Sequence, residues 1–362
     1  MKQLFRTLGW GLLVVGSSLA WAQDDITEVT FWGAFFNPDE VATLEQITEN
    51  FNAQNPDINV TFELVPGSET EITRLMTAVA AGTGPDIYYL DRFTAAERAE
   101  AGLLTDLAPL IEAETGVSVS DLRDQYLDFA WDEVSYDGGI WAFPFDTDTR
   151  ALYYRRDILE EAGVDLSLFD PANGPMDLET FQSVAFSLNE TDESGAYTRV
   201  GNLPWTDQGW HVTWGLAYGG AFAEGSCNVT PTDEGVVDAF EFLYDWSEAM
   251  EPQRATAFEQ TYIPRGLPPQ QHPFLSGRMP MTITGDFFLG TITEYAPDLD
   301  YGVTYIPSAT GEPFSWSGGF SLAVPSGADS PEAAYRFIRY ATGPEGQRIW
   351  SGSTGRLPTS RA

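Results

Sequence analysis

Residues 141–159 read Trp-Ala-Phe-Pro-Phe-Asp-Thr-Asp-Thr-Arg-Ala-Leu-Tyr-Tyr-Arg-Arg-Asp-Ile-Leu. The stretch is aromatic and extended up to Pro144, and it turns through a polar Asp-Thr-Asp-Thr segment at 146–149. It then resumes as Ala151-Leu152-Tyr153-Tyr154 and opens a helix at Asp157. Extended pieces on either side of a short polar link suit a chain that leaves one lobe and enters another. Asp146, Asp148 and Arg150 would then face the space between. An ordinary loop between two strands of one domain reads the same way, so the rest of the chain has to decide.

At 362 residues the chain is too long for one hydrophobic core and about right for two, and 43% hydrophobic with 14% aromatic content fills both. Met1 to Arg6 carries two cations; an apolar run from Leu8 to Leu19 follows, then Ala20-Trp21-Ala22 before Gln23. This predicts a secretory signal peptide over residues 1–22, cleaved after Ala22. The run is shorter than the ~20 apolar residues a membrane span needs, and no Cys stands at the cleavage site to accept a lipid. A periplasmic, soluble, monomeric protein is expected.

The formal charge is −36, from 54 acidic and 18 basic residues, and Lys2 is the one lysine. Such an excess resembles a salt-adapted surface more than an acidic tail, and it argues against nucleic acid as a partner. The single cysteine, Cys227, excludes an intramolecular disulfide and a cysteine-rich metal site, and reads as a buried or incidental thiol. No metal or cofactor is expected.

After the leader, Glu28 to Gly33 reads as a buried strand ending in a glycine turn. A helix starts at Asn37-Pro38-Asp39-Glu40, with Val41, Leu44, Ile47 and Phe51 at helical spacing. Ile58 to Leu64 alternates as a second strand, Glu69 to Ala81 is a second helix, and Ile87 to Leu90 a third strand. Strand, helix, strand, helix, strand predicts a mostly parallel α/β sheet. Ligands in such sheets bind at the carboxyl ends of strands, which singles out Trp32, Phe35, Phe36, Asn37, Asp91 and Arg92.

Several blocks carry a resemblance. Trp32-Gly33, Ala80 to Ile87, Phe143 to Asp157, Phe274 to Gly285, Asp298 to Val303, Ser317 to Phe320 and Gly343 to Gln347 occur in order along the chain. Together they resemble the extracellular solute-binding proteins of carbohydrate ABC importers, the family of maltose- and trehalose-binding proteins. The resemblance implies a two-lobe α/β periplasmic-binding-protein fold, each lobe a mostly parallel sheet flanked by helices. Three crossings would fall near Asp148–Arg150, Thr304–Ile306 and Ala341–Pro344. Residues 23–148 plus 306–341 would form the N-terminal lobe and residues 149–305 plus 342–362 the C-terminal lobe, which in the usual family chain continues past a block like Gly355 to Pro358. A sugar would lie in the cleft, to be handed to the permease subunits of an ABC transporter.

Within the second lobe, Asp177 to Leu188 and Gly235 to Met250 read as amphipathic helices, with a short strand at Val200 to Pro204. Trp205, Trp210, His211, Trp214 and Tyr218 make the richest aromatic stretch. Trp210, Trp214 and Tyr218 share one helix face and suit core packing, whereas Trp210 and His211 open the helix at its exposed end. Sugars present apolar C–H faces that stack on rings and hydroxyls met by Asp, Asn and Arg. Residues of those kinds at strand ends are Asp146, Asp148, Arg150, Asp286, Phe287, Trp316, Gly318 and Gly319, with Arg356 in the Gly355 to Pro358 block. The resemblance implies that Asp91-Arg92 is an acidic-basic pair holding sugar hydroxyls, that Phe287 stacks, and that Trp316-Ser317-Gly318 contacts sugar. Asp86 reads as a structural carboxylate serving backbone amides.

A secreted glycoside hydrolase with paired carboxylates is the competing class. Only His211 and His272 are present for imidazole acid–base work, and Gly-x-Ser-x-Gly, His-Glu-x-x-His and P-loop patterns are missing. A binder rather than an enzyme is expected.

Overall fold

Val29 and Phe31 alternate with less buried neighbours along β1 (Thr27–Gly33), placing β-branched and aromatic side chains on the core side. The computed structural model describes residues 26–34, 38–66, 73–114, 116–225 and 228–361. The expected leader, Phe35, Phe36, Asn37 and Cys227 lie outside these.

Helix α1 (Pro38–Gln54) begins with Pro and two acidic residues, Asp39 and Glu40, where the first turn favours them. It lays Leu44, Ile47 and Phe51 on the sheet. Strand β2 (Ile58–Leu64), helix α2 (Thr73–Ala81) and β3 (Ile87–Asp91) complete a parallel β2-β1-β3 set. Asp86 enters β3 as a buried carboxylate accepting from the backbone N–H of Thr30 at 2.9 Å and of Ser330 at 3.0 Å. The polar link then carries the chain from β4 (Phe143–Pro144) into β5 (Arg150–Arg155).

The second lobe is built around β5, flanked by β6 (Met281–Gly285) and β7 (Tyr301–Thr304), both antiparallel to it. The expected mostly parallel second sheet is thereby corrected. β6 and β7 run the same way and are joined through helix α4 (Phe288–Tyr295), but the hinge strand β5 inserts between them in the opposite sense. Helix α3 (His211–Ala217) lies between β5 and β6 in sequence and buries Trp214, whose indole N–H donates to the carbonyls of Pro204 at 2.6 Å and Gly209 at 3.1 Å. Trp214 packs with Phe181 and Trp246 in the second core. The short strand expected at Val200 to Pro204 instead lies at Tyr197–Arg199.

Two further boundaries differ from expectation. Ile306 belongs to the second core, Ser308 N donates to Met176 O and Ala309 N to Ala217 O, both at 2.9 Å, and Phe314 packs there too. The return crossing therefore falls at residues 315–318, just before β8 (Phe320–Ala323), which inserts antiparallel between β3 and β4. Among the described residues no crossing follows α5 (Pro331–Ala341). Helix α6 (Pro344–Thr354) stays on the first lobe, its Trp350 fully buried with its ring centre 4.9 Å from that of Phe145. Gln347 donates to Phe145 O at 2.6 Å, and Leu357–Pro358 pairs with Asp146–Thr147. Residues 344–361 thus belong with the first lobe rather than the second, because the first core supplies the aromatic surface that Ile349 and Trp350 need. Among the described residues the chain crosses twice.

Candidate functional site

The two crossings are laced side by side. Thr147 Oγ1 lies 2.8 Å from Ser317 Oγ and Thr149 Oγ1 lies 2.8 Å from Ser315 Oγ, so alternate residues of the polar link meet alternate residues of the return strand. Between them, Asp148 accepts from Gly318 N at 2.5 Å and from the Arg150 guanidinium. An added Cβ at Gly318 would press on Asp148 and Arg150 at 3.0 Å. At Gly319, whose φ is +133°, it would meet Arg92 and the Asp146 carbonyl at 2.2 and 2.3 Å. Glycine is required at 319 by the crossing itself, whereas at 318 the two side chains would have to give way.

In front of this hinge lies an interlobe cavity of about 470 Å³. Its first-lobe wall includes Tyr89, Asp91, Phe93 and Thr94, followed by Phe320 and Arg356. Gln208, Trp210 and Phe287 stand opposite, with Asp148, Arg150, Trp316, Gly318 and Gly319 at the back. Arg150 is buried, and its Nε and Nη2 reach Gln208 Oε1 at 3.2 and 3.1 Å. Burial holds its guanidinium below its usual range, with Asp148 acting in the opposite direction. The guanidinium sits on Trp316, whose indole N–H donates to Thr213 Oγ1 at 2.8 Å and whose ring lies 5.3 Å from that of Trp210. Two rings remain widely open to solvent: Phe93, 55% exposed, and Trp210, 48% exposed, one from each lobe.

A profile of bacterial extracellular solute-binding proteins matches residues 37–348. This chain belongs to that family. Among curated relatives, a maltotriose-binding protein of Pyrococcus abyssi is 23% identical over 85% of this chain, which spans 61% of that protein's length. The sn-glycerol-3-phosphate-binding periplasmic protein of Escherichia coli K12 is 22% identical over the whole chain and 80% of its own. Among solved structures, mannobiose-bound CpMnBP1 superposes with a TM-score of 0.77 at 19% identity, covering 92% of this chain and 83% of that one. Maltose-bound MalE3 of T. maritima gives 0.69 at 23%, covering 92% and 82%. These likenesses establish the two-lobe α/β fold.

For this solute-binding protein the structure gathers Asp91, Asp148, Arg150, Trp210, Phe287, Trp316, Gly318, Gly319 and Arg356 around the cavity and leaves other expected residues outside it. Arg92 is 1% exposed and does not pair with Asp91. Its Nε donates to Glu133 at 2.7 Å, Nη2 to Gly318 O at 2.6 Å and Nη1 to Asp146 O, so it ties the crossing together. Asp91 instead caps the turn behind Phe93, accepting from Phe93 N at 3.0 Å. Asp146 is fully buried and accepts from Phe320 N at 2.8 Å and the Trp350 indole at 3.0 Å; burial pushes its carboxyl up to about 6. Asp286 accepts from Thr149 N at 3.1 Å behind the hinge. Trp32 donates to Glu63 at 2.8 Å away from the cavity, and His211 stacks on Phe240, 5.8 Å between ring centres.

Sequence reasoning missed Tyr89, Phe93, Thr94, Gln208 and Phe320. Phe93 directly follows the Asp91-Arg92 pair and Phe320 directly follows the glycines, so proximity was the available signal. Gln208 carried none. Among the described residues no group of His, Cys, Asp and Glu could hold a metal ion, and no helix is long and apolar enough to cross a membrane.

Proposed function

We propose that this protein is the sugar receptor of an ABC importer. Processed after Ala22 and acting as a periplasmic monomer, it captures a mono- or oligosaccharide in the interlobe cleft and closes over it. It then presents the ligand to the membrane permease. The first choice of ligand is an α-linked disaccharide such as maltose or trehalose. The observation that carries this reading is the pairing of Phe93 and Trp210, open rings on opposite lobes lining one cavity with a polar back wall. Flat rings accept the C–H face of a pyranose, and Asp148, Gln208 and Arg150 offer acceptors and donors for its hydroxyls. The relatives bound to or named for maltotriose, maltose and mannobiose support the same ligand class.

A phosphate ester suits the cleft less well. The two guanidiniums lining it are already neutralised, Arg150 by Asp148 and Arg356 by Glu40 at 2.7 Å. Hydrolysis is also disfavoured, since the Asp148 carboxylate is committed to Arg150 and to the Gly318 amide rather than poised over open space. Calorimetric titration with maltose, trehalose and mannobiose, followed by chromatography of the mixture, tests both points. Saturable binding with unchanged sugar is expected. Failure to bind any of them, or the appearance of monosaccharide, would overturn the proposal.

A further inference from the structure

We propose that the cleft accepts a linear oligosaccharide longer than a disaccharide, its far end seated in a second chamber beyond Phe287 and Arg356. The inference rests on the saccharide-receptor reading above and adds the length of the ligand. A second interlobe cavity of about 500 Å³ shares only Phe287 and Arg356 with the first. Each cavity by itself lies in the ~300–1,000 Å³ range of small-molecule sites.

The second chamber repeats the construction of the first. One wall comes from the first lobe, at the start of α1 and the end of α6, and the other from the outer face of α4 in the second. Asp39 and Ser353 on one side face Thr291, Glu294 and Tyr295 on the other, which is a mixture of hydroxyl acceptors, hydroxyl donors and a ring. Carboxylates here favour a neutral polyol over an acidic one.

Between the chambers, Arg356 is held in place. Its Nε donates to Glu40 at 2.7 Å, and its guanidinium lies 5.7 Å from the Phe287 ring centre and 5.6 Å from that of Phe320. Phe287 and Arg356 together form the sill over which the saccharide passes. Both chambers are bounded by both lobes, so a ligand long enough to fill the two favours the closed state by contacts in each.

The test uses the full processed chain and two ladders, maltose to maltohexaose and mannobiose to mannotetraose, titrated by calorimetry. In at least one ladder the affinity should rise tenfold or more between the disaccharide and the tetrasaccharide. Gly290 lies on α4 facing the second chamber, and an added Cβ there meets nothing within 4 Å. Gly290→Trp should return the longer sugars to the disaccharide's affinity while changing the disaccharide by less than twofold, and Ser353→Trp on the opposite wall should do the same. If a disaccharide binds but neither ladder gains with length, the inference alone is overturned, as it is by a gain that survives both substitutions. If no member of either ladder binds, the receptor reading falls with it.

Discussion

The guanidinium carbon of Arg150 lies 3.7 Å from the centre of the Trp316 ring, closer than any other cation to a ring among the described residues. Trp316 is thereby a bracing residue: it carries Arg150, anchors to Thr213 and backs Trp210. Trp316→Ala should lower both the sugar affinity and the melting temperature, the latter by about 2 °C or more. Trp210→Ala removes only the open ring, so binding should weaken at least tenfold with the melting temperature nearly unchanged. Differential scanning calorimetry and titration of the two variants check this; normal sugar binding by Trp210→Ala would refute it.

Arg92 predicts a loss of stability rather than specificity. Arg92→Leu leaves Glu133 without its cation and takes the nearest of three donors from the Gly318 carbonyl, a change of the kind that costs about 3–5 kcal/mol. Chemical denaturation should show that loss whether or not sugar is present, and the ratio of affinities for two epimeric sugars should stay as in the native chain. A shifted ratio with native stability would place Arg92 in the binding surface.

The buried carboxyl of Asp146 ties stability to pH. Burial pushes it up to about 6 from an ordinary 3.8, so between those values the folded chain holds a proton the unfolded chain has released. Its contribution is complete below the ordinary value and is lost as pH rises towards 6. His272 acts in the opposite sense, since burial lowers it to about 4 and the unfolded chain is the one that holds its proton. Comparison with Asp146→Asn isolates the first effect. From pH 4 to 7 the native chain should lose on the order of 3 kcal/mol relative to the variant. Parallel denaturation curves at both pH values, with a constant gap, would contradict it.

Salt should stabilise the protein. With a formal charge of −36, repulsion among surface carboxylates is screened as ionic strength rises. The melting temperature is expected to climb between low salt and molar chloride, and a flat or falling curve would count against a salt-adapted surface.

The parts legible from sequence were those set by local pattern. Val29 and Phe31 alternate, Leu44, Ile47 and Phe51 recur at helical spacing, and the polar link at 146–149 between two aromatic runs marks the outward crossing. Trp210 and Trp214, one turn apart, divided into an open ring and a core ring because the first sits at the helix start. What stayed hidden depends on distant partners. Asp91 and Arg92 are adjacent in sequence, yet the turn sends them apart, and the partner of Arg92 is 41 positions away at Glu133. The lobe of Trp350 is not legible because its sequence neighbours say nothing of Phe145, the first-lobe ring it packs against. Asp146 carries the residue type of a sugar ligand, but the Trp350 indole and the Phe320 amide occupy it.

A saccharide held between the lobes should draw them together. Small-angle X-ray scattering of the processed protein, with and without a saccharide shown by calorimetry to saturate it, tests this most directly. A ligand touching Phe93 on one lobe and Trp210 on the other should reduce the radius of gyration. An unchanged radius with bound sugar would mean that the lobes do not close on the ligand.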